Sequence, residues 1–228
     1  MSKDFLAATG IEKDYPSGEG GVLHVLRGLD LKVGRGESVS ILGPSGAGKS
    51  TLLHIVGALE KPSRGEVVLD GTSLFELDDR QRSSLRNHSL GFVFQFHYLL
   101  AEFSALENVS MPLRIRGEEP EHAQEAATAI LAEVGLADRL SHRPAQLSGG
   151  EQQRVAVARA LVHQPDFVLA DEPTGNLDKN NSRKVINLIF EQLKTRGMGF
   201  ILVTHDESLA DLTRKSYLLE EGKLHPLR

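Results

Sequence analysis

The sequence predicts an α/β fold organised around a phosphate-binding loop. A short apolar strand, Ser38–Leu42, runs directly into a glycine-rich loop, Gly43–Thr51. An apolar helix face then follows at Leu52–Val56. Further along the chain, helical patterns alternate with short apolar strands such as Phe167–Ala170 and Phe200–Thr204, an order typical of α/β proteins.

The glycine-rich loop fits the pattern G-x-x-x-x-G-K-[ST], which binds the phosphates of a nucleotide. Its glycines let successive backbone N–H groups point toward one anion, and the next helix adds its unpaired N–H groups and positive dipole end. Lys49 would reach the β- and γ-phosphates, and the Ser50 hydroxyl would bind Mg²⁺. A chance match of a glycine-rich turn is the alternative, and the flanking strand and helix argue against it.

Length and composition allow one large domain, or one domain with a subdomain, with a substantial core. The chain has 228 residues, of which 40% are hydrophobic and 25% charged, and it has no cysteine. Disulfides, thiolate zinc sites and cysteine nucleophiles are therefore excluded. The net charge is −5 without a basic cluster, so we expect no nucleic acid partner held by electrostatics alone. No apolar run is long enough to span a bilayer, so another protein must hold the chain at any membrane where it works.

The N-terminal part of the chain predicts a small antiparallel sheet. Residues 5–14 and 22–33 are rich in β-forming side chains and are separated by a glycine-rich turn, which favours a hairpin. Gly65–Gly71 is a further strand that we expect to pair with this hairpin. Tyr15 lies just before the turn, where its ring could stack on an adenine base. Turn packing before Pro16 is the alternative, and the residues alone leave both open.

Residues 104–163 show three helical patterns and no strand. Ser104–Glu107 has the sequence of a capping box, and a second helix runs from about Glu121 until Gly135 stops it. A third helix begins near Ser148. We therefore expect a helical insertion within the α/β chain.

Two adjacent carboxylates end the apolar strand Phe167–Ala170. Burying adjacent charges is unfavourable unless they bind something. In a nucleoside triphosphatase, Asp171 would hold Mg²⁺, usually through water, and Glu172 would polarise the attacking water. The alternative is a solvated turn before Pro173, and the phosphate loop in the same chain favours the metal and base roles.

The third helix of the insertion begins in an unusual way. Ser148 is a good N-cap, but the two glycines that follow destabilise a helix by about 1 kcal/mol each relative to alanine. They make sense if something must approach the backbone closely. We predict that Ser148 and Gly150 contact the γ-phosphate of a nucleotide bound to a second copy, which would give a closed two-fold dimer.

Three more polar residues are candidates for contact with a ligand. Gln95 follows the strand Leu90–Phe94, and His205 follows another apolar strand, where it could bind a γ-phosphate. Asp178 follows the acidic pair after a short turn and could reach the site of a second copy. Taken alone, the residues favour a surface glutamine and a structural histidine, and Asp178 could equally be only a helix cap.

Taken together, in order and spacing, these stretches resemble the ATP-binding subunits of ABC transporters. The matching stretches are the Walker A loop at Gly43–Thr51, the Q-loop glutamine Gln95, the signature motif at Leu147–Arg154, the Walker B strand at Phe167–Glu172, the D-loop at Asn176–Asp178, the switch histidine His205 and the adenine-stacking Tyr15. The D-loop departs from the commoner Ala-Leu-Asp at Asn176, which puts no catalytic group in doubt.

The resemblance implies a P-loop NTPase with a RecA-like core and an antiparallel β-subdomain at about 1–95 and 164–228, and an α-helical subdomain inserted at about 96–163. It implies ATP and Mg²⁺ as cofactors. The ATP contacts it implies are Tyr15, Gly43, Ser45, Gly46, Gly48, Lys49, Ser50 and Thr51 in one copy, with Ser148, Gly150 and Asp178 of the other. The implied catalytic residues are Glu172, His205 and Gln95, and the implied Mg²⁺ ligands are Ser50, Gln95 and Asp171.

Within this family, the stretches Gly91–Leu100, Leu106–Val109 and Met111–Leu113 look most like the lipoprotein-releasing (Lol-type) ATPases, which belong to the macrolide-exporter-like group. This resemblance implies a peripheral subunit at the cytoplasmic face of the inner membrane that powers a separate permease. A macrolide-type exporter and a cell-division complex would share every catalytic motif. A scaffold regulated by ATP is the alternative outside transport, and the pair Asp171 and Glu172 argues against it.

Overall fold

The computed structural model describes residues 4–18 and 20–227 and shows both strands and helices in the predicted order. The strands are β1 (Asp4–Pro16), β2 (Val22–Gly34), β3 (Ser38–Leu42), β4 (Arg64–Leu69), β5 (Thr72–Ser73), β6 (Leu90–Phe94), β7 (Phe167–Asp171), β8 (Gly199–Thr204), β9 (Lys215–Glu220) and β10 (Lys223–Pro226). The helices are α1 (Lys49–Val56), α2 (Asp79–Ser89), α3 (Ala105–Arg116), α4 (Pro120–Glu133), α5 (Gly149–Leu161), α6 (Lys179–Arg196) and α7 (Glu207–Ala210).

The chain divides into two compact units. One unit comprises Met1–Arg86 and Met198–Arg228, and the other comprises Asn87–Gly197. The division into a core with a β-subdomain and a helical subdomain at about 96–163 stays a prediction. No helix in the described part of the chain has the length and apolar character needed to cross a membrane.

The first unit contains the antiparallel sheet that the N-terminal sequence predicts. Strand β1 pairs with β2 on one side and with β4 on the other, so that Leu6 lies opposite both Val33 and Leu69. These three side chains are buried, whereas Asp30 and Lys32, which alternate with the buried residues of β2, are exposed. The predicted hairpin and its third strand are therefore confirmed.

A second group of strands in the first unit positions the phosphate loop. Strand β3 lies between β8 and β9 and is parallel to both, and Leu42 at its end is in register with Thr204 at the end of β8. The carboxyl ends of parallel strands meet at one edge of a sheet, which is where α/β proteins bind ligands. Gly43 and His205 therefore leave neighbouring strands at the same edge.

The second unit contains the helical insertion and two further strands. Strands β6 and β7 are parallel, with Phe94 in register with Asp171, so the residues that follow them also leave one edge together. Helices α3, α4 and α5 are the three helices predicted between residues 104 and 163, and α5 packs against β6, α3, α4 and α6. Its buried face includes Val155 and Ala158, as the helical spacing predicts.

Candidate nucleotide-binding site

The phosphate loop of the first unit ends in a helix that has no side-chain cap. Helix α1 begins at Lys49, and its N-cap Gly48 adopts the left-handed conformation, with φ of 97°. No side chain of the described residues accepts a capping hydrogen bond there, and the first turn contains no acidic residue. The first N–H groups of α1 are thus available to an anion, as the pattern predicts.

Two glycines of the loop lie so close to neighbouring residues that a Cβ at either position would collide with them. A Cβ at Gly48 would lie 2.8 Å from Val25 Cγ1, in addition to the strain of its positive φ. A Cβ at Gly43 would lie 2.6 Å from the Leu219 carbonyl oxygen. The loop can therefore keep this path between its neighbours only with glycine at both positions.

Lys49 is held inside the curve of the loop. Its side chain is buried, with the residue only 8% exposed, and Nζ donates hydrogen bonds to the carbonyl oxygens of Gly43, at 2.7 Å, and Pro44, at 3.0 Å. An ammonium group has three N–H donors, so it can bind a phosphate oxygen as well. A buried cation beside an uncapped helix N-terminus suits a phosphate chain in both charge and hydrogen bonding.

Tyr15 is anchored by groups that the sequence patterns did not reveal. Its hydroxyl donates to Glu60 Oε1 at 2.7 Å, and the side chain of Thr51 lies close to the same hydroxyl. Burial and the bond to Glu60 raise the pKa of the Tyr15 hydroxyl above its ordinary value, although the nearby Thr51 side chain opposes this. Two predicted nucleotide contacts, Tyr15 and Thr51, therefore lie close together, and Glu60 is a partner that no motif indicates.

In the second unit, the acidic pair lies at the tip of β7 as predicted. Asp171 is the last residue of the strand, and Glu172 has φ of 45°, in the left-handed region that non-glycine residues seldom occupy. Its carbonyl oxygen accepts a hydrogen bond from Gly175 N at 3.0 Å, which closes a tight turn. Such backbone strain is frequent at functional sites, and here it fixes the direction in which Glu172 leaves the strand.

Gln95 is held by the turn that follows this acidic pair. Its Nε2 donates to Asn176 Oδ1 at 3.2 Å, and Asn176 Nδ2 donates back to the Gln95 carbonyl oxygen at 3.1 Å. A Cβ at Gly175 would lie 2.8 Å from Gln95 Nε2, so a larger residue there would displace the end of the glutamine side chain. Asn176, which stands where alanine is commoner, thus holds Gln95, a role that the sequence did not predict.

Ser148 caps α5 as predicted, in a full capping box with Glu151. Glu151 Oε2 accepts from Ser148 N and from Ser148 Oγ, both at 2.8 Å, and Glu151 N donates to Ser148 Oγ at 3.3 Å. The backbone N–H of Ser148 is the main reason why the pKa of Glu151 is lowered to about 2; the Ser148 hydroxyl and Arg139, which donates to Oε1 at 3.0 Å, add to it. The Ser148 hydroxyl therefore points to a carboxylate that is ionised at neutral pH.

Of the two glycines of α5, only Gly150 is closely approached by another residue of the same chain. A Cβ at Gly150 would lie 3.2 Å from Asn181 Cγ, whereas one at Gly149 would only reach ordinary contact with Leu177, at 3.7 Å. Asp178 caps α6, because it accepts from Asn181 N at 3.1 Å and from Asn181 Nδ2 at 2.6 Å. The helix-cap role that the sequence left open for Asp178 is thus present, and the contacts of Gly150 and Asp178 with a second copy stay predictions.

His205 lies between strand β8 and the short helix α7. Thr204, which precedes it, is buried, and Asp206, which follows it, caps α7 by accepting from Ser208 N at 2.9 Å. His205 itself is exposed at the edge of the sheet. The strand and the cap fix the backbone on both sides of this side chain, as a residue that contacts a ligand requires.

A family model described as "ABC transporter" matches residues 26–175. The chain belongs to the ABC transporter family, and it is an ATP-binding ATPase of that family. The matched range includes the phosphate loop, Gln95, the signature helix and the acidic pair. The predicted resemblance and the predicted fold class are therefore confirmed.

The chain is similar over its whole length to proteins named lipoprotein-releasing system ATP-binding protein LolD. The protein from Legionella pneumophila (strain Paris) is 49% identical over 99% of this chain and 99% of its own length. The protein from Geobacter metallireducens is 51% identical over 94% of this chain and 95% of its own length.

A solved structure described as a dimeric post-hydrolysis state of the ATP-binding cassette MJ0796, bound to ADP and Pi, has a TM-score of 0.89 and 37% identity. The similarity covers 98% of this chain and 99% of that one. A second dimeric structure of the same cassette has a TM-score of 0.89 and 38% identity, with the same coverage. The similar structures are thus nucleotide-binding cassettes that form dimers.

Proposed function

We propose that this chain is the ATP-hydrolysing subunit of an ABC transporter that releases lipoproteins toward the outer membrane, working from the cytoplasmic face of the inner membrane. The observation that carries the proposal is identity of about half of all residues with LolD proteins along the full length of both chains. The match covers 94–99% of this chain, far more than the stretches that contain the catalytic motifs.

ATP with Mg²⁺ fits the residues that the structure describes. The loop at Gly43–Thr51 with its buried Lys49 would bind the phosphates, and Tyr15 would stack on the adenine. Ser50, Gln95 and Asp171 would hold Mg²⁺, since a hydroxyl, an amide oxygen and a carboxylate are the oxygen donors that this ion prefers. When bound, Mg²⁺ neutralises charge on the β- and γ-phosphates.

The residues of the chain supply the remaining chemistry. Glu172 would accept a proton from the attacking water, because a carboxylate held at a strained turn is a well-oriented general base. Gln95 and His205 would orient the water and the γ-phosphate. We place Ser148, Gly150 and Asp178 at the γ-phosphate of a second copy, and the dimeric state of the MJ0796 cassette supports this arrangement.

A permease would dock at the segment that follows Gln95. Large apolar side chains are exposed along this segment of the second unit, and they are Phe96 at 61%, Tyr98 at 65%, Leu100 at 45% and Phe103 at 37%. Exposed apolar residues so close in sequence are typical of a surface that a partner covers. The same segment is the one whose sequence most resembles the lipoprotein-releasing ATPases.

Purification of the tagged protein from membranes tests the assignment. We expect integral inner-membrane permease subunits to co-purify, and phosphate release by the complex to rise when a lipoprotein is added. Recovery of a cell-division permease or a macrolide exporter would contradict lipoprotein release while leaving the ATPase intact. Absence of phosphate release with any permease would favour the ATP-regulated scaffold instead.

Lys49→Ala tests nucleotide binding itself. Without the ammonium, the phosphate charge is unmatched, and we expect affinity for ATP to fall about 100-fold or more, as for removal of a charge-assisted bond. Calorimetric titration with ATP measures this change. The matched control is Lys215→Ala, which removes a partly exposed lysine that pairs with Glu37 in the same unit. Equal affinities of the two variants would contradict the role of the loop.

A further inference from the structure

Glu60 lies in the connection between α1 and β4, outside every motif of the nucleotide site, yet it binds the hydroxyl of Tyr15. The distance from the Tyr15 hydroxyl oxygen to Glu60 Oε1 is 2.7 Å, and the side chain of Glu60 is 29% exposed. A tyrosine near the surface usually keeps its hydroxyl in water. Here the hydroxyl is fixed by a carboxylate from a separate element, which restricts the ring.

The carboxylate of Glu60 is itself fixed by Lys13. Lys13 Nζ lies 2.8 Å from Glu60 Oε1 and also donates to the Lys61 carbonyl oxygen at 2.8 Å. The side chain of Lys13 is only 14% exposed, so this pair is less screened than an ordinary surface pair. Burial raises the pKa of the Glu60 carboxyl, but the bonds from Lys13 and Tyr15 outweigh this and hold it below its ordinary value.

Lys13 also restricts one face of the tyrosine ring. Its Nζ lies 5.0 Å from the centroid of the Tyr15 ring, within the range of a cation–π contact. The ring is thus fixed at its hydroxyl by Glu60 and at one face by the ammonium group. A planar base would stack on the opposite face, and its position would follow from that of the ring.

The Tyr15 hydroxyl connects this cluster to the phosphate-binding helix. The side chain of Thr51, in the first turn of α1, lies close enough to this hydroxyl to lower its pKa. The position of the ring is therefore fixed relative to the residues that we expect to bind the phosphates. This matters because a nucleotide has a fixed range of distances between its base and its phosphates.

We propose that Glu60 is a positioning residue for the nucleotide base: it holds the Tyr15 ring at the flank of α1 and so sets the affinity for adenine nucleotides. The proposal rests on the proposed binding of ATP at Tyr15 and the phosphate loop. A ring that is ordered before the ligand arrives loses less conformational freedom on binding, and this raises affinity. A purely structural ion pair of Glu60 with Lys13 would change stability but would not distinguish ligands with a base from ligands without one.

The test compares ADP with pyrophosphate, each competing with a fluorescent ADP analogue for the purified protein. ADP is chosen because it lacks the γ-phosphate that we expect to close the dimer. We expect Glu60→Ala to lower the affinity for ADP by about threefold to tenfold. The affinity for pyrophosphate should change by less than about twofold. Glu60→Gln should stay closer to the wild type, since its amide oxygen can still accept from Tyr15.

Tyr15→Phe keeps the ring and removes the hydroxyl, so it separates positioning from stacking. We expect it to lower the affinity for ADP as much as Glu60→Ala does. Adding Glu60→Ala to Tyr15→Phe should then lower the ADP affinity no further. The matched control is Glu12→Ala, which removes a carboxylate of β1 that pairs with Arg64 at 3.3 Å. This control should bind both probes like the wild type.

Two results would overturn the inference and leave the proposed function intact. One is an equal loss of ADP and pyrophosphate affinity in Glu60→Ala, and the other is an undiminished effect of Glu60→Ala in the Tyr15→Phe background. If Glu60→Ala fails to fold, Glu60→Gln and Tyr15→Phe decide the matter, because unchanged ADP affinity of Tyr15→Phe also overturns it. A wild-type protein that binds neither probe would overturn the proposed function and the inference together.

Discussion

At the scale of single residues, the phosphate site combines a buried lysine with a loop whose path requires glycine at two positions. Lys49 is only 8% exposed and is oriented by two carbonyl groups of its own loop. Gly43 and Gly48 pass so close to Leu219 and Val25 that a Cβ would collide at either position. The affinity for phosphate is thus prepared by the chain before any ligand binds, which is the condition for strong electrostatic binding.

A buried histidine makes stability depend on pH. His163 is 8% exposed, its Nε2 lies 3.1 Å from the Leu90 carbonyl oxygen, and burial lowers its pKa to about 4. The unfolded chain has the higher pKa, so it binds more protons as the pH falls below about 6.5, and the folded state then loses stability. The full contribution is present above that pH and decreases as the pH approaches 4.

We therefore expect the free energy of unfolding to fall by about 2 kcal/mol more in the wild type than in His163→Gln between pH 8 and pH 5. Urea denaturation at a series of pH values measures this difference. The glutamine amide can still donate to the Leu90 carbonyl, so the variant should fold. His122→Gln is the control, since the His122 side chain is 70% exposed. Parallel pH profiles for the wild type and His163→Gln would contradict the assignment.

At the scale of elements, two helices of the second unit begin with the same capping box. Ser104 and Glu107 at α3 form the same three kinds of hydrogen bond as Ser148 and Glu151 at α5. At α3 their lengths are 2.8, 2.9 and 3.2 Å. Only the box at α5 belongs to the signature motif. Comparing variants at the two caps therefore distinguishes the structural role of a cap from a role at the nucleotide.

We expect Ser104→Ala and Ser148→Ala each to lower the free energy of unfolding by about 1 kcal/mol, because each removes an N-cap. Only Ser148→Ala should also slow ATP hydrolysis, by about tenfold or more, because only its hydroxyl would reach the γ-phosphate of the second copy. Denaturation and phosphate release measure the two effects. Equal hydrolysis rates of the two variants would show that Ser148 only caps the helix and has no role at the nucleotide.

Helix α5 also holds the segment that we expect to bind the permease. Arg159 donates to the carbonyl oxygens of His97 and Tyr98, both at 2.7 Å, and Gln153 donates to that of Phe94 at 3.3 Å. One helix thus contacts both sides of Gln95 and carries the signature motif at its N-terminus. A displacement of α5 would move the exposed aromatic residues with it.

Arg159→Met should release the carbonyl groups of residues 97 and 98 without altering the signature motif. We expect local opening to become easier by about 1–3 kcal/mol, the usual loss when hydrogen bonds from a charged donor are removed, so amide hydrogen exchange should accelerate across residues 96–100. Mass spectrometry of exchanged peptides measures this. Arg114→Met is the control, since Arg114 donates to the Glu118 carbonyl at an exposed helix end. Unchanged exchange at residues 96–100 would show that Arg159 does not hold the segment.

The success of sequence reasoning differed between elements for physical reasons. The phosphate loop, the hairpin and the three helices between residues 104 and 163 follow from local patterns of glycines, caps and apolar spacing, so they could be predicted. The bond of Tyr15 to Glu60 and that of Gln95 to Asn176 join residues 45 and 81 positions apart. Such pairs depend on which strands become neighbours, and no local pattern encodes that.

At the scale of the whole molecule, the chain carries the residues of one complete phosphate loop and one complete signature motif. A nucleotide site of the proposed kind takes its loop from one copy and its signature motif from the other, so it forms only in a dimer. The dimeric MJ0796 structures, which cover 98% of this chain, support this reasoning. ATP would then both join the two copies and, on hydrolysis, release them.

The Glu172→Gln variant tests whether ATP joins two copies of the chain. It should keep ATP binding, lose almost all hydrolysis because the general base is absent, and elute as a dimer on a sizing column with ATP and Mg²⁺. The Lys49→Ala/Glu172→Gln double variant is the control and should stay monomeric, since it lacks the phosphate contact. A Glu172→Gln protein that remains monomeric with saturating ATP and still releases phosphate at the wild-type rate would contradict the account.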